Sequence, residues 1–250
     1  MKKLQGKVAV VTGASKGIGA AIARHLANEG AAVVVNYASS KKDADRVVDD
    51  VSRGGGRAVP VQANVAKHED IERLFAETKK AFGRLDILVN NAGVYEFSPL
   101  DDITEEHVRK LFDINVLGVL FASQAAARHF DASGGSIINI GSTVTSATPP
   151  NTAVYTATKA AVEAMTQTLA KELGPRNIRV NAINPGGVET EGVHAAGLLD
   201  NDFAKQLQAQ TPLGGRIGQP QDIAPVAVFL ASADAAWITG EIIRVAGGLR

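Results

Sequence analysis

Residues 10–31 read "VVTGASKGIGAAIARHLANEGA", and the order of their parts decides the fold class. An apolar run at 8–11 leads into a turn where Gly13, Gly17 and Gly19 have the spacing GxxxGxG. A segment with apolar residues at helical spacing follows. Strand, glycine turn and helix together open a β-α unit. The missing side chains let the backbone turn sharply and approach a bulky anion. A helix starting near Gly17 points unpaired N–H groups and its positive end at that anion. A diphosphate suits the place, with Ser15, Lys16 and Ile18 in the same turn. The spacing departs from GxGxxG and from GxxxxGK[ST], which disfavours ATP hydrolysis.

Outward from this unit the pattern repeats. Short runs rich in valine and isoleucine recur: "KVAVV" (7–11), "AAVVVN" (31–36), "RAVPVQ" (57–62), "DILVN" (86–90), "SIINI" (136–140), "IRVNAI" (178–183) and "EIIRV" (241–245). Nearly continuous apolar strands imply burial on both faces of a parallel sheet. Helical periodicity begins near Gly17, Lys41, His68, Thr104, Ala153 and Pro220. The expectation is an α/β chain: a doubly wound Rossmann-type parallel sheet of about seven strands, helices on both faces, as a single domain over 1–250. The exception is 186–219, where glycine and proline alternate around a short helical piece at Asn201 to Gln210. So long an insertion in a compact domain is usually functional, and it is assigned to covering a substrate.

Composition narrows the partners. The 250 residues are 45% hydrophobic and 21% charged, and 26 Lys plus Arg balance 26 Asp plus Glu. No net field favours nucleic acid, and no basic block suggests a membrane surface. The absence of cysteine excludes disulfides and thiolate chemistry. The five histidines lack ligand spacing, so no metal site is expected. The apolar run near the start is too short for a signal peptide, and no stretch reaches the length of a membrane span. A cytoplasmic protein acting on a small molecule is expected.

The second strand reports on the nucleotide. A carboxylate at its end would accept hydrogen bonds from the 2′-hydroxyl of NAD and repel a 2′-phosphate. Here the strand ends "VVVNYASSKK" (33–42), with Asn36 at that place, then Tyr37, Ser39 and Ser40. A neutral Asn36, two hydroxyls and Lys16 suit a phosphate, so NADP is expected over NAD.

The stretch "AVYTATKAAVEAM" (153–165) sets Tyr155 four residues before Lys159, a spacing that brings side chains together on a helix. An ammonium at about 4 Å from a phenol contributes up to about 4 kcal/mol at an effective dielectric of about 20. That bounds the depression of the phenol's pKa at roughly three units before desolvation is subtracted. Reduction of a ketone needs a proton at the developing alkoxide, and such a phenol could supply it.

These stretches together resemble the short-chain dehydrogenase/reductase family along essentially the whole chain: "TGASKGIG" (12–19), "NNAG" (90–93), Asn115 in "FDINVLG", Ser142 in "INIGS", "YTATK" (155–159) and "NPGGVET" (184–190). The resemblance implies an NAD(P)-dependent oxidoreductase with Asn115, Ser142, Tyr155 and Lys159 as the catalytic group. It gives Lys159 contacts to the nicotinamide ribose and Asn115 a place in a water-linked proton relay. It also places Asn91, Ala92 and Gly93 along the cofactor after the fourth strand, and Pro185, Gly186, Val188 and Thr190 along it after the sixth. Asn64, before Val65, stands where the family commonly has an adenine-contacting aspartate. Within the family the chain is most similar to 3-oxoacyl-acyl-carrier-protein reductases and related NADPH ketoreductases. A carbonyl substrate is expected, with an acyl carrier protein as one candidate carrier and Arg128 and Arg176 as candidate docking cations. A sugar or alcohol dehydrogenase working oxidatively and a silent nucleotide-binding regulator are the alternatives. Helices over 108–127 and 157–173 carry small and apolar residues on more than one face, including Leu117, Val119, Leu120, Ala160, Ala161, Ala164 and Met165. A homodimer packed through them is expected, and the resemblance implies a tetramer of two such dimers.

Overall fold

In a computed structural model, which describes residues 2–195, 197 and 202–249, seven strands form one parallel sheet. They are β1 (Val8–Val11), β2 (Ala32–Tyr37), β3 (Arg57–Gln62), β4 (Ile87–Asn90), β5 (Gly135–Ile140), β6 (Ile178–Pro185) and β7 (Ile242–Val245), in the order β3-β2-β1-β4-β5-β6-β7. All seven apolar runs of the sequence became strands. The helices are α1 (Gly17–Asn28), α2 (Lys41–Arg53), α3 (His68–Phe82), α4 (Glu105–Phe112), α5 (Gly118–His129), α6 (Val144–Ala147), α7 (Ala153–Leu173), α8 (Glu191–Ala195), α9 (Asp202–Gln210) and α10 (Pro220–Ala231).

Two-residue periodicity divides the strands between two cores. Ala9, Val11, Val33, Val35, Ile87, Val89, Ile138 and Ile183 face Ile22 and Leu26 of α1, Val47 of α2, and Ile223 and Leu230 of α10. Val10, Val34, Leu88, Ile137 and Val180 face Ile71, Leu74 and Phe75 of α3, Ala122 and Ala126 of α5, and Ala170 of α7. This is the doubly wound arrangement, and the chain reverses direction across the sheet between β1 and β4. Loops at the carboxyl ends of those two strands diverge there and leave a crevice.

Buried polar groups lock the layers in register. Asn90 Nδ2 donates to Ser123 Oγ at 3.0 Å and to Asn139 Oδ1 at 2.9 Å, and Asn139 Nδ2 donates to Thr166 Oγ1 at 2.8 Å. The chain of bonds runs from α5 through β4 and β5 to α7. At the other end of the sheet, buried Asp86 accepts from Val8 N–H at 2.9 Å and pairs with Lys7 and Arg84.

One feature departs from the expected pattern. The helix expected over 108–127 is interrupted by a π turn at Asp113–Leu117, which swings Asn115 inward. The 186–219 segment, which extends over residues outside the described set (196 and 198–201, including Asn201), holds α8, α9 and one isolated parallel bridge between Val188 and Gly218. Among the described residues no helix is long and apolar enough to cross a membrane.

Candidate active site

The crevice opens into a cleft of about 770 Å³ running along the carboxyl ends of the strands. At one end is the glycine turn. Gly13 has φ of +60°, and a Cβ there would lie 2.8 Å from Ala92 Cα, so only glycine lets the loops after β1 and β4 close on each other. A Cβ on Gly19 would lie 2.4 Å from Asn91 Nδ2, whose amide donates to the carbonyls of Thr12 and Gly13 at 2.9 and 3.0 Å. The amide thus fastens the glycine turn to the loop after β4. At the head of α1, Gly17 N–H donates to Glu191 Oε2 at 2.9 Å, so the expected anion site holds a carboxylate of the chain itself.

Most of the sequence-named cofactor residues line this cleft: Gly13, Ser15, Lys16, Gly17 and Ile18; Asn36, Ser39 and Ser40; Asn64 and Val65; Asn91, Ala92 and Gly93; Pro185, Gly186, Val188 and Thr190. Gly19 and Tyr37 do not: Gly19 packs behind the turn, and Tyr37 is buried. Asn36 lines the cleft as a neutral residue, with its amide already engaged. Its Oδ1 accepts from Gly13 N–H at 3.0 Å, and its Nδ2 donates to the carbonyls of Val61 and Ala63 at 3.2 and 3.0 Å. An amide so used joins the glycine turn to β3 and has no donor left for a 2′-phosphate. Asn64 is also engaged, with Oδ1 accepting from Ala66 N–H at 3.0 Å.

At the other end of the cleft Ser142, Tyr155 and Lys159 converge. Lys159 Nζ donates to Ile140 carbonyl O at 2.9 Å and sits 5.8 Å from the Tyr155 ring centroid. Ser142 Oγ accepts from Val144 N–H at 3.2 Å and lies beside the phenol. The expected depression of the phenol is overturned in the protein alone. Burial pushes Tyr155 up to about 12; the Ser142 hydroxyl opposes this and Tyr95 adds to it. Burial likewise holds Lys159 down to about 8. Desolvation is the largest cause for both groups, which lie in the same low-dielectric wall.

Asn115 lies behind this group, 1% exposed and outside the cleft lining. Its Oδ1 accepts from Val94 N–H at 2.9 Å, and its Nδ2 donates to Val94 carbonyl O at 2.8 Å and Thr158 Oγ1 at 3.1 Å. The side chain therefore clamps the loop after β4 to α7.

The sequence reading missed the aromatic wall. Tyr95 and Phe97 face Tyr155 edge-on, with centroids 6.5 and 6.0 Å away. Two aromatics at alternate positions directly after "NNAG" were the available signal. Val144, Ala147, Pro149, Val193, Leu207 and Ile217 complete the apolar lining. Arg128 and Arg176 lie elsewhere. Arg128 ends α5 shortly before β5 begins, and Arg176 precedes β6, so both stand at the strands' amino ends, opposite the cleft. Arg128 pairs with Glu72, and Arg176 donates to Ala127 carbonyl O.

The family model described as "Enoyl-(Acyl carrier protein) reductase" matches residues 13–250. A probable tetrahydroxynaphthalene reductase of Zymoseptoria tritici is 42% identical over 255 residues, covering 98% of this chain and 95% of the relative. The chain belongs to the short-chain dehydrogenase/reductase family. An uncharacterized oxidoreductase of Methylorubrum extorquens is 58% identical over 250 residues, 100% of both chains. A short chain dehydrogenase of Burkholderia cenocepacia, solved in complex with NADP, superposes with a TM-score of 0.92 at 38% identity, covering 99% of each chain. The protein is thus a short-chain oxidoreductase that works with a nicotinamide cofactor, and the glycine turn, whose Gly17 N–H already holds a carboxylate, suits the diphosphate of such a group.

Proposed function

We propose that the chain is an NADPH-dependent reductase of apolar, aromatic ketones. The observation that carries this reading is the convergence of Ser142, Tyr155 and Lys159 at a wall formed by Tyr95 and Phe97. The relatives' naphthalene-derived substrates support the same class. A polyol such as glucose would leave its hydroxyls facing aromatic and aliphatic carbon, which disfavours a sugar dehydrogenase. Arg128 and Arg176 do not flank the cleft, so a free ketone is preferred to a carrier-bound thioester. The intact hydroxyl, phenol and ammonium disfavour a silent regulator.

Preference for NADPH is supported by the cleft's charges. Lys16, Ser39 and Ser40 line the nucleotide end, and Glu191, at Gly17, is the one carboxylate among the described lining residues. The relative bound to NADP agrees. Gly13, Gly17 and the loops after β4 and β6 would hold the cofactor, which when bound supplies the hydride. Ser142 holds the substrate oxygen. Tyr155 gives its proton to that oxygen as negative charge develops on it, and a phenol kept protonated by burial is in the form reduction requires. Lys159, fixed by the Ile140 carbonyl, keeps a positive charge beneath the phenol as the proton leaves.

The test is NADPH turnover against bicyclic aromatic ketones, 3-oxoacyl thioesters and glucose, with Tyr155→Phe and Lys16→Ala as variants. Tyr155→Phe should bind NADPH and lose about 10²-fold or more in rate. Lys16→Ala should lower the ratio of efficiency with NADPH to that with NADH. Rapid glucose oxidation without ketone reduction, or an active phenylalanine variant, would remove this reading.

A further inference from the structure

The turn that presents Ser142 is braced from behind by a carboxylate outside the cleft lining. Thr145 Oγ1 lies 3.1 Å from the Ser142 carbonyl oxygen and 2.6 Å from Glu163 Oε1. A hydroxyl has one hydrogen, and the shorter contact to a charged acceptor takes it. Glu163 stands on α7 four residues after Lys159 and eight after Tyr155, on the helix that carries both. Its Oε1 also accepts from Asn184 Nδ2 at 2.6 Å. Asn184 precedes Pro185 at the end of β6, where the loop along the cofactor site begins. One carboxylate oxygen therefore joins the three segments that furnish the site: the Ser142 turn, α7 and the end of β6.

The fit around this junction is tight. A Cβ on Gly141 would lie 2.0 Å from Asn184 Oδ1, so the residue before Ser142 is pressed against that amide. Asn184 Oδ1 is buried without a donor, so the orientation of the amide depends on the bond from Nδ2 to Glu163. We propose that Glu163 is a positioning residue of the reaction, setting the placement of the Ser142 hydroxyl against the Tyr155 phenol through Thr145 and Asn184. The proposal rests on Ser142 and Tyr155 being the reacting pair. The consequence is chemical as well as geometric. Facing the phenol are Lys159 from α7, Tyr95 and Phe97 from the loop after β4, and Ser142. Of these, the Ser142 hydroxyl is the group that favours ionisation of the phenol against its burial.

The experiment uses the full chain with NADPH and an accepted ketone, and reads the reverse alcohol oxidation against pH. Glu163→Ala and Thr145→Val should each lower kcat roughly 10- to 100-fold while leaving NADPH affinity near that of the parent. In both, the rising limb of the oxidation rate should move to higher pH by about half a unit or more. Glu163→Gln keeps Oε1, on which both bonds end, and should retain most of kcat. Parental kcat and an unmoved limb in both Glu163→Ala and Thr145→Val would overturn the proposal. So would losses that track a fall in melting temperature with the limb in place, because those mark a merely structural brace. Tyr155→Phe separates the two ideas. If it is inactive while Glu163→Ala is unaffected, only this inference fails; if it is active, the assignment of the acid fails first.

Discussion

Tyr155 and Lys159 share one buried wall, and burial acts on them in opposite senses: the phenol is pushed up to about 12 and the ammonium down to about 8. The depression of Lys159 from 10.5 corresponds to roughly 3 kcal/mol at neutral pH, charged against the folded state. Between about 8 and 10.5 the unfolded chain binds the extra proton, so this group makes stability rise with pH across that window. Tyr155 has the reverse sign, because the folded state holds its proton between about 10 and 12 and stability falls as pH rises there. Lys159→Met should therefore melt a few degrees higher than the parent at pH 7 and lose turnover, as read by calorimetry and assay. Reduction by the parent should hold through neutral pH and decline above about 8 as Lys159 loses its charge; a rate still flat at pH 10 would contradict that role. A second residue-scale expectation concerns Glu191. Its carboxylate holds Gly17 N–H at the place where a diphosphate oxygen is expected. Glu191→Ala should tighten NADPH binding by roughly tenfold, the worth of one charge-assisted hydrogen bond; calorimetric titration showing equal or weaker binding would count against displacement.

At the scale of elements, the site depends on how α5 and α7 are held against the sheet. Small residues let these helices approach closely, but apolar contact alone leaves them free to slide. The buried bonds from Ser123 through Asn90 and Asn139 to Thr166 remove that freedom. Asn139→Ala leaves Thr166 without its donor and deletes one of the two acceptors of the Asn90 amide. A loss of about 2 kcal/mol or more in urea unfolding is expected, along with a lower kcat, because α7 carries the phenol. The π turn at Asp113–Leu117 has a related job. The extra residue turns the Asn115 amide inward to the Val94 backbone and Thr158, which ties the aromatic loop to α7. A regular helix over the same residues would rotate that side chain away by a residue's worth of turn.

For the whole molecule, apolar surface remains uncovered. Leu117 and Leu120 are exposed on the outer side of the π turn and α5, and Ala160 and Ala164 on that of α7, whereas Val119 faces the protomer's own core. Trp237 is fully exposed, five residues before β7, the last strand of the sheet. A homodimer through the helix faces remains our proposal, with a second contact at the β7 edge completing a tetramer. Light scattering should give a species of at least two chains, and Leu120→Glu should shift it toward smaller ones. Trp237 is the chain's one tryptophan, so a blue-shifted emission on assembly would report cover at that edge. A monomeric parent would remove the proposal.

The strands were legible because a parallel sheet buried on both faces demands unbroken valine and isoleucine, and the glycine turn because its backbone has no room for a Cβ. Tyr155, Lys159 and Ser142 were legible from local order within single elements. The aromatic wall, the engagement of Asn36 and Asn115, and the link from Thr145 through Glu163 to Asn184 were not, since each joins residues 18 to 60 positions apart through bonds that leave no periodic trace. The sequence by itself determined the sheet, its helices and the chemical groups of the site, since local propensity and hydrophobic period suffice for those. Only the tertiary structure decided which amides are already in use, which way burial moves the phenol and the ammonium, and what surface a substrate meets, because hydrogen-bond satisfaction and desolvation depend on neighbours that the chain brings together only by folding.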